Sequence, residues 1–382
     1  MVVVVVVVVV VVLIYSPWTD GNVVLLGYSL RLQGSAFALN YLTHISATLF
    51  SRRTLLPATM PAPVIQKGLE GFAEAHAAAL DELSRNKVLA HSVNWDTCAN
   101  AGVLSPSLVA IIKSYDKKPE SEKQRILKDN GQQVVEAILS IVAHVKTPDI
   151  LKYALALADE TINFDDKNIG LFLMCQSCTD PLFSILDSPP SDLFTIATAV
   201  QVLSHCLVHK SVVPEEDVKR VLRWVSEQLS SKEKDVEIKY LLGSLQVLLR
   251  KDKFRVAFLS LDGLHLLGSF LRLEKHFQIL YQVIYCIWLL TYNHFVADRV
   301  STTTVIHKIV DVLKNTQKEK VIRVCLAALR NMMDRGENNQ QMIEAGLVKL
   351  LDLLKQKKWG DEDIVSDLEA LLVCLSRREI LL

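Results

Sequence analysis

Four side chains have the types and spacing to do chemistry together. Cys175 and Cys178 form a C-x-x-C pair, and His205 and His209 stand one helical turn apart. Two thiolates and two imidazoles make up a tetrahedral zinc set. The gap between the two pairs is about twice the usual finger loop, however, and both pairs lie in apolar stretches with helical character. Buried thiols and ordinary histidines are therefore expected, with no metal and no cofactor. Enzyme motifs are absent too: no G-x-x-x-x-G-K-[ST] or G-x-G-x-x-G string occurs, nor H-E-x-x-H, nor G-x-S-x-G. The expectation is a non-catalytic protein that works through its surfaces.

The elements that must position such surfaces are repeated. GLHLLGSFL from Gly263, TVIHKIVDVL from Thr304 and GLVKLLDLL from Gly346 are alike. Between them recurs a second block: LGSLQVLLRKDKFRVAFLSLDGL from Leu242, YCIWLLTYNHFVADRVSTTTV from Tyr285 and LAALRNMMDRGENNQQMIEAGL from Leu326. Leu248, Leu290 and Met332 hold matching places about 42 residues apart, which is the armadillo/HEAT period. One such unit cannot bury its own apolar faces, so successive units must stack. The expected fold is all-α: an armadillo/HEAT-like α-solenoid, a right-handed superhelix of stacked helical repeats over residues 93–375.

Composition agrees. Half of the 382 residues are apolar, with only 14 Gly and 11 Pro, so long stretches are free of helix breakers. Lys plus Arg equals Asp plus Glu at 42 each, so no global field draws the chain to nucleic acid or to an anionic membrane. A protein partner fits better. Seven scattered cysteines make no disulfide framework and read as reduced thiols.

Residues 2–12 are an unbroken valine run. With Leu13 and Ile14 the apolar stretch is too short to span a membrane and lacks the basic flank of a secretory signal. Residues 1–63 are left without a fold, and direct membrane insertion is not expected. A leading helix is expected over 64–92, where Phe72, Ala75, Ala79, Leu80 and Leu83 keep helical spacing.

Further helix signals follow. Ser105 before Pro106, Thr147 before Pro148, Asp180 before Pro181 and Pro214 before three carboxylates all read as N-termini. Val134, Val135, Ile138, Ile141, Val142 and Val145 share one face, as do Ile150, Tyr153, Ala154, Leu157, Ala158 and Ile162. Asp116–Glu120 (DKKPE) reads as a solvated break, Trp95 as a packing residue and Lys232–Glu237 (KEKDVE) as a solvated turn. Asp361, Glu362 and Asp363 start the last helix and complement its dipole. A tail is expected over 376–382.

Two strings carry a family resemblance. VNWDTCANAGVLSPSLVAIIKSYDKKPE from Val93, and RVCLAALRNMMDRGENNQQMIEAGLVKLL from Arg323 running on to KKWGDEDIVSDLEALL, resemble the H subunits of the vacuolar-type proton-translocating ATPases. The resemblance covers roughly residues 81–375, and its middle is similar mainly in pattern. It implies a regulatory, non-catalytic component of the ATP-hydrolysing sector, at the cytoplasmic face of vacuolar or other acidic organelle membranes and cytosolic when detached. Implied partners are the E and G subunits of the peripheral stalk and, in a full-length form, the a subunit of the membrane sector. Relative to the family pattern, the C-terminal domain is expected to be absent after Leu382. Stator binding is carried over; silencing of the detached sector resembles a task of that second domain.

A solenoid binds along the concave surface formed by one helix of each repeat. Polar and aromatic positions in the second recurring block are therefore the candidate partner contacts: Lys251, Arg255, Tyr292, His294, Arg330 and Arg335. The alternative reading of the same surface is a general armadillo/HEAT adaptor for a cytosolic peptide or helix.

Overall fold

Local signals start the helices where the sequence places them. Ser105 Oγ accepts from the Leu108 amide at 3.3 Å with Pro106 opening the helix, and Asp192 Oδ2 accepts from Thr195 N at 2.9 Å. Asn293 Oδ1 does the same for Val296 N at 3.1 Å. Other predicted caps differ in detail. Thr147 makes no side-chain cap bond, and Asp180 is the first helical residue behind Thr179 rather than the cap.

The computed structural model describes residues 85–379 except 232–234 and 334, and every regular element among them is a helix. In chain order these are α1 (Arg85–Ala90), α2 (Asp96–Asn100), α3 (Pro106–Tyr115), α4 (Glu120–His144), α5 (Pro148–Phe164), α6 (Ile169–Met174), α7 (Asp180–Asp187) and α8 (Leu193–His209). Next come α9 (Glu215–Ser231), α10 (Asp235–Leu248), α11 (Asp252–Ser260), α12 (Gly263–Phe270), α13 (Phe277–Leu290) and α14 (His294–Arg299). The chain closes with α15 (Val305–Asn315), α16 (Glu319–Met332), α17 (Gly336–Glu344), α18 (Leu347–Lys355) and α19 (Glu362–Glu379).

The last nine helices are three copies of one unit: a short helix, a second helix and a long inner helix. The inner helices α5, α8, α10, α13, α16 and α19 pack each upon the next. From α10 to α16 they begin at Asp235, Phe277 and Glu319, roughly 42 residues apart. Leu248, Leu290 and Met332 are the last residues of three of them, and all are fully buried. From Ile279 to Leu290, α13 is buried at every position but Tyr281, as a helix apolar all round must be. The fold is an all-α solenoid.

Repeats that match in letters differ at one corner. Gly346 takes a left-handed φ of 75° ahead of α18, where glycine has no steric penalty. Before α12 the left-handed residue is Asp262, φ 59°, not the Gly263 that aligns with Gly346 in the sequence. Gly263 is needed for room instead: a Cβ there would lie 2.3 Å from the Phe258 ring and 2.7 Å from its carbonyl oxygen. The same letter answers two different constraints.

The region before the repeats corrects one expectation and sharpens another. Asp116 breaks the helix but is buried, not solvated: it accepts from Trp95 Nε1 at 3.0 Å and from the Tyr153 hydroxyl at 2.6 Å. Trp95 packs edge-on against Tyr153 at 5.7 Å. Lys117, at φ 60°, turns back to the carbonyls of Leu89 and His91 and so holds the end of α1. Lys123 pairs with Glu160 at 2.6 Å between the rings of Tyr115 and Phe164, and Arg85 pairs with Asp159 at 3.0 Å. The first resemblance string is thus the part that ties α1 to α5.

Of the expected leading helix, only Arg85–Ala90 is described; 64–84, like the 1–63 segment with its valine run, lies outside the described residues. Within KEKDVE, Asp235 already opens α10, so the string is not wholly a turn. The expected tail is helical as far as Glu379. No single helix among the described residues is long and apolar enough to cross a membrane.

Candidate functional site

One face of α13 carries aromatic residues at i, i+4 and i+7, with a fourth just past its end. Tyr281, Tyr285, Trp288 and Tyr292 follow one another with ring centroids 5.9, 5.1 and 5.6 Å apart. The last two contacts are edge-to-face, the favoured geometry for ring quadrupoles. Tyr285 and Trp288 are nearly buried between the flanking inner helices, while Tyr281 and Tyr292 are half-buried.

Guanidinium and amide groups edge this stripe from both neighbours. The Arg255 guanidinium lies 5.5 Å over the Tyr292 ring, and its Nε and Nη2 donate to the carbonyls of Leu249 at 2.8 Å and Arg250 at 3.2 Å. It thereby satisfies the open end of α10. From α16, Asn331 Nδ2 donates to Thr291 Oγ1 at 3.3 Å and Trp288 O at 3.5 Å. Burial pushes the Tyr285 and Tyr292 hydroxyls well above the ordinary phenol range, so both are neutral donors at physiological pH. Burial also lowers Arg255, against the pull of Asp252.

The six residues expected to contact a partner divide unevenly. Lys251 is exposed at the N-cap of α11. The others hold repeats together. Arg255 joins the end of α10, in the preceding unit, to Tyr292 just past α13; Arg335 bonds Asp298 and, at 3.1 Å, His294 Nδ1 of the preceding unit; Arg330 reaches Asp367 and, at 3.2 Å, Ser366 of α19. Arg323, which sequence reasoning passed over, pairs with Asp361 at 3.5 Å and Asp363 at 3.0 Å. The acidic start of α19 therefore serves an ion pair as well as its own dipole. Tyr281, Tyr285 and Trp288 were also missed; their 4-3-4 spacing was the available signal.

The four would-be metal ligands go separate ways. Cys175 Sγ points to the Leu171 carbonyl at 3.5 Å, and Cys178 is buried beneath the turn between α6 and α7. His205 and His209 stack with centroids 6.3 Å apart, with Gln201 Nε2 3.0 Å from His205 Nε2. Among the described residues no group of three or more His, Cys, Asp or Glu is placed to hold a metal. Most of this α13 stripe is interior: Tyr285 and Trp288 serve packing between the inner helices, and only Tyr281 and Tyr292 at its ends reach the surface.

Comparison with known proteins adds an independent observation. A family model that describes the V-ATPase H subunit matches residues 81–375. The V-type proton ATPase H subunit of Dictyostelium discoideum is 31% identical over 310 residues, covering 78% of this chain and 69% of the relative. That of Drosophila melanogaster is 28% identical over 292 residues, 73% of this chain and 61% of the relative. A probable V-type proton ATPase H subunit of Oryza sativa subsp. japonica is 28% identical over 321 residues, 77% and 71%. Among solved structures, a designed armadillo repeat protein superimposes with a TM-score of 0.53 at 15% identity, covering 63% of this chain and 99% of its own. A second, in complex with the peptide (KR)4, gives 0.53 at 14%, with the same coverage. At that identity the likeness shows the armadillo fold alone.

Proposed function

The chain belongs to the V-ATPase H-subunit family, and on that premise we propose that it is a non-catalytic regulatory subunit of the ATP-hydrolysing sector of a V-type proton pump. It binds the peripheral stalk formed by the E and G subunits and supports the coupling of ATP hydrolysis to proton transport at acidic organelle membranes. In a longer form it reaches the a subunit of the membrane sector. The observation that carries this reading is the extent of the family match, which takes in the base and every repeat of the solenoid rather than one motif. A stack of helical repeats is a binding scaffold, and an elongated partner such as a stalk suits a surface repeated along an axis.

Within that reading, Lys251, Arg255, Tyr292, His294, Arg330 and Arg335 contact the partner, with Lys251 the most accessible and the rest doubling as links between repeats. Titration calorimetry of the whole chain against the purified stalk heterodimer tests it. Micromolar or tighter binding at one-to-one stoichiometry is expected. A helical, cooperatively melting protein that shows no heat of binding would refute the stator role. Lys251→Glu should weaken binding about tenfold with an unchanged melting temperature, since a rim charge acts on association and not on the fold.

A further inference from the structure

Each inner helix of the repeats shows one side to the helix before it and the opposite side to the helix after it. In α13, Gln282 and Cys286 turn to carbonyls of α10, those of Lys239 and Leu242. Two residues further on, at about 200° around a helix, lies the opposite side: Ile284, with Leu280 one turn back. α16 covers that side, and both residues are buried. In α16 the matching positions are Ile322 and Leu326, which precede Met332 by the same intervals as Leu280 and Ile284 precede Leu290. α19 packs on α16, and these two residues are buried as well.

In α19 the same positions, counted back from the buried Leu375, are Val365 and Glu369. Asp363 and Asp367 turn to Arg323 and Arg330 of α16, so Val365 and Glu369, two residues after each, lie on the far side. Val365 is 40% exposed, Glu369 is exposed, and Val373, one turn beyond, is 53% exposed. α18 repeats the pattern. Leu353 precedes the buried Leu354 as Phe270 precedes Leu271 and Val312 precedes Leu313; Phe270 and Val312 are buried, and Leu353 is 60% exposed. No further helix among the described residues covers this face.

The preceding units show what fits such a face: an amphipathic helix laid along the inner helix. The sign of its charge follows from one exchange in the series. Where α13 and α16 carry Ile284 and Leu326, α19 carries the Glu369 carboxylate, between Val365 and Val373 and two turns after the exposed Glu362. An apolar helix laid over Glu369 would strip its hydration without compensation, so the occupant must bring a Lys or Arg against it. A second copy of this chain fails that condition: two α19 helices related by a two-fold axis set Val365 against Val373 but Glu369 against Glu369. We infer that the α18–α19 face is a docking surface for a basic amphipathic helix of a partner protein, added as a further inner helix of the stack. Leu353, Val365 and Val373 supply the apolar contact, and Glu369 supplies the ion pair that selects the partner's sign. The surface is separate from the stalk contacts proposed at Lys251 and its neighbours.

The test titrates the whole chain with two labelled synthetic helices, about five turns long, that share a leucine stripe and differ in Lys or Glu flanks. Fluorescence anisotropy should show the lysine helix bound about tenfold more tightly than the glutamate helix. Glu369→Lys should reverse that order at an unchanged melting temperature, because the side chain is exposed. Val365→Ser combined with Val373→Ser should weaken the lysine helix about tenfold through lost apolar contact. Hydrogen exchange should place the protection on α18 and α19. Equal binding of both helices, binding of neither, an order unmoved by Glu369→Lys, or protection elsewhere would each overturn the assignment. A dimer of this chain that the double serine change dissolves would also overturn it, giving the face to a second copy.

Discussion

The base of the solenoid and its three last repeats are held by polar contacts of opposite kinds. In the base, α1 to α5, a few buried groups are each used more than once: Asp116 takes two donors, and Lys123 serves Glu160 and two rings. In the repeats the same work is spread along the stack, one repeat at a time: Asn293 to Asp252, Lys308 to the Gly268 carbonyl, Asn338 to the Ala297 carbonyl, Gln341 to the Ser301 carbonyl, Arg323 to Asp363. A unit that contacts only its neighbours can be stabilised by additive, modest links.

The comparison breaks first at Asp116. Asp116→Ala leaves the Trp95 N–H and the Tyr153 O–H buried without an acceptor, which should cost about 3 to 5 kcal/mol. Urea unfolding measures it, and a loss below about 1 kcal/mol would mean the base is not integrated as described. Lys123→Met, which strands the Glu160 carboxylate in a mostly buried place, should cost about 2 kcal/mol, with much of it restored by the double change Lys123→Met with Glu160→Leu.

The repeats should respond less and more locally. Gly263→Ala drives a methyl into Phe258 and should cost about 2 kcal/mol, whereas Gly346→Ala meets no atom within 4 Å and costs only the left-handed strain, about 1 kcal/mol. Hydrogen exchange should confine the first effect to the α11–α12 corner; spreading into the base would sink the idea of additive repeats. Asp192→Ala removes the α8 cap and should cost about 1 kcal/mol. Burial raises the Asp192 carboxyl, but the bonds from Thr195 and Lys152 outweigh it and hold it below the usual range. Its contribution is therefore complete above the unfolded value near pH 4 and lost as pH falls through the lower folded value, a loss that thermal melts of Asp192→Ala should not show. Arg330→Ala removes a half-exposed guanidinium but leaves the Asp367 carboxylate, 10% exposed, without its partner, and should cost about 1 to 2 kcal/mol, part of it recovered by Asp367→Asn.

The amino-acid sequence by itself determined the class of fold and its period. Helical spacing of apolar residues, few breakers and the recurrence at Leu248, Leu290 and Met332 were enough, because a helix's buried stripe and its caps are encoded within a turn or two of chain. The tertiary structure decided everything that depends on residues distant in sequence. Asp116 reads as a charge in a DKKPE break, and only Trp95 and Tyr153 closing around it make it an interior acceptor. Arg330 and Arg335 read as free surface, yet carboxylates one repeat away occupy them. In each case the partner lies tens of residues off, so its identity is set by which helices stack, a quantity no local pattern contains.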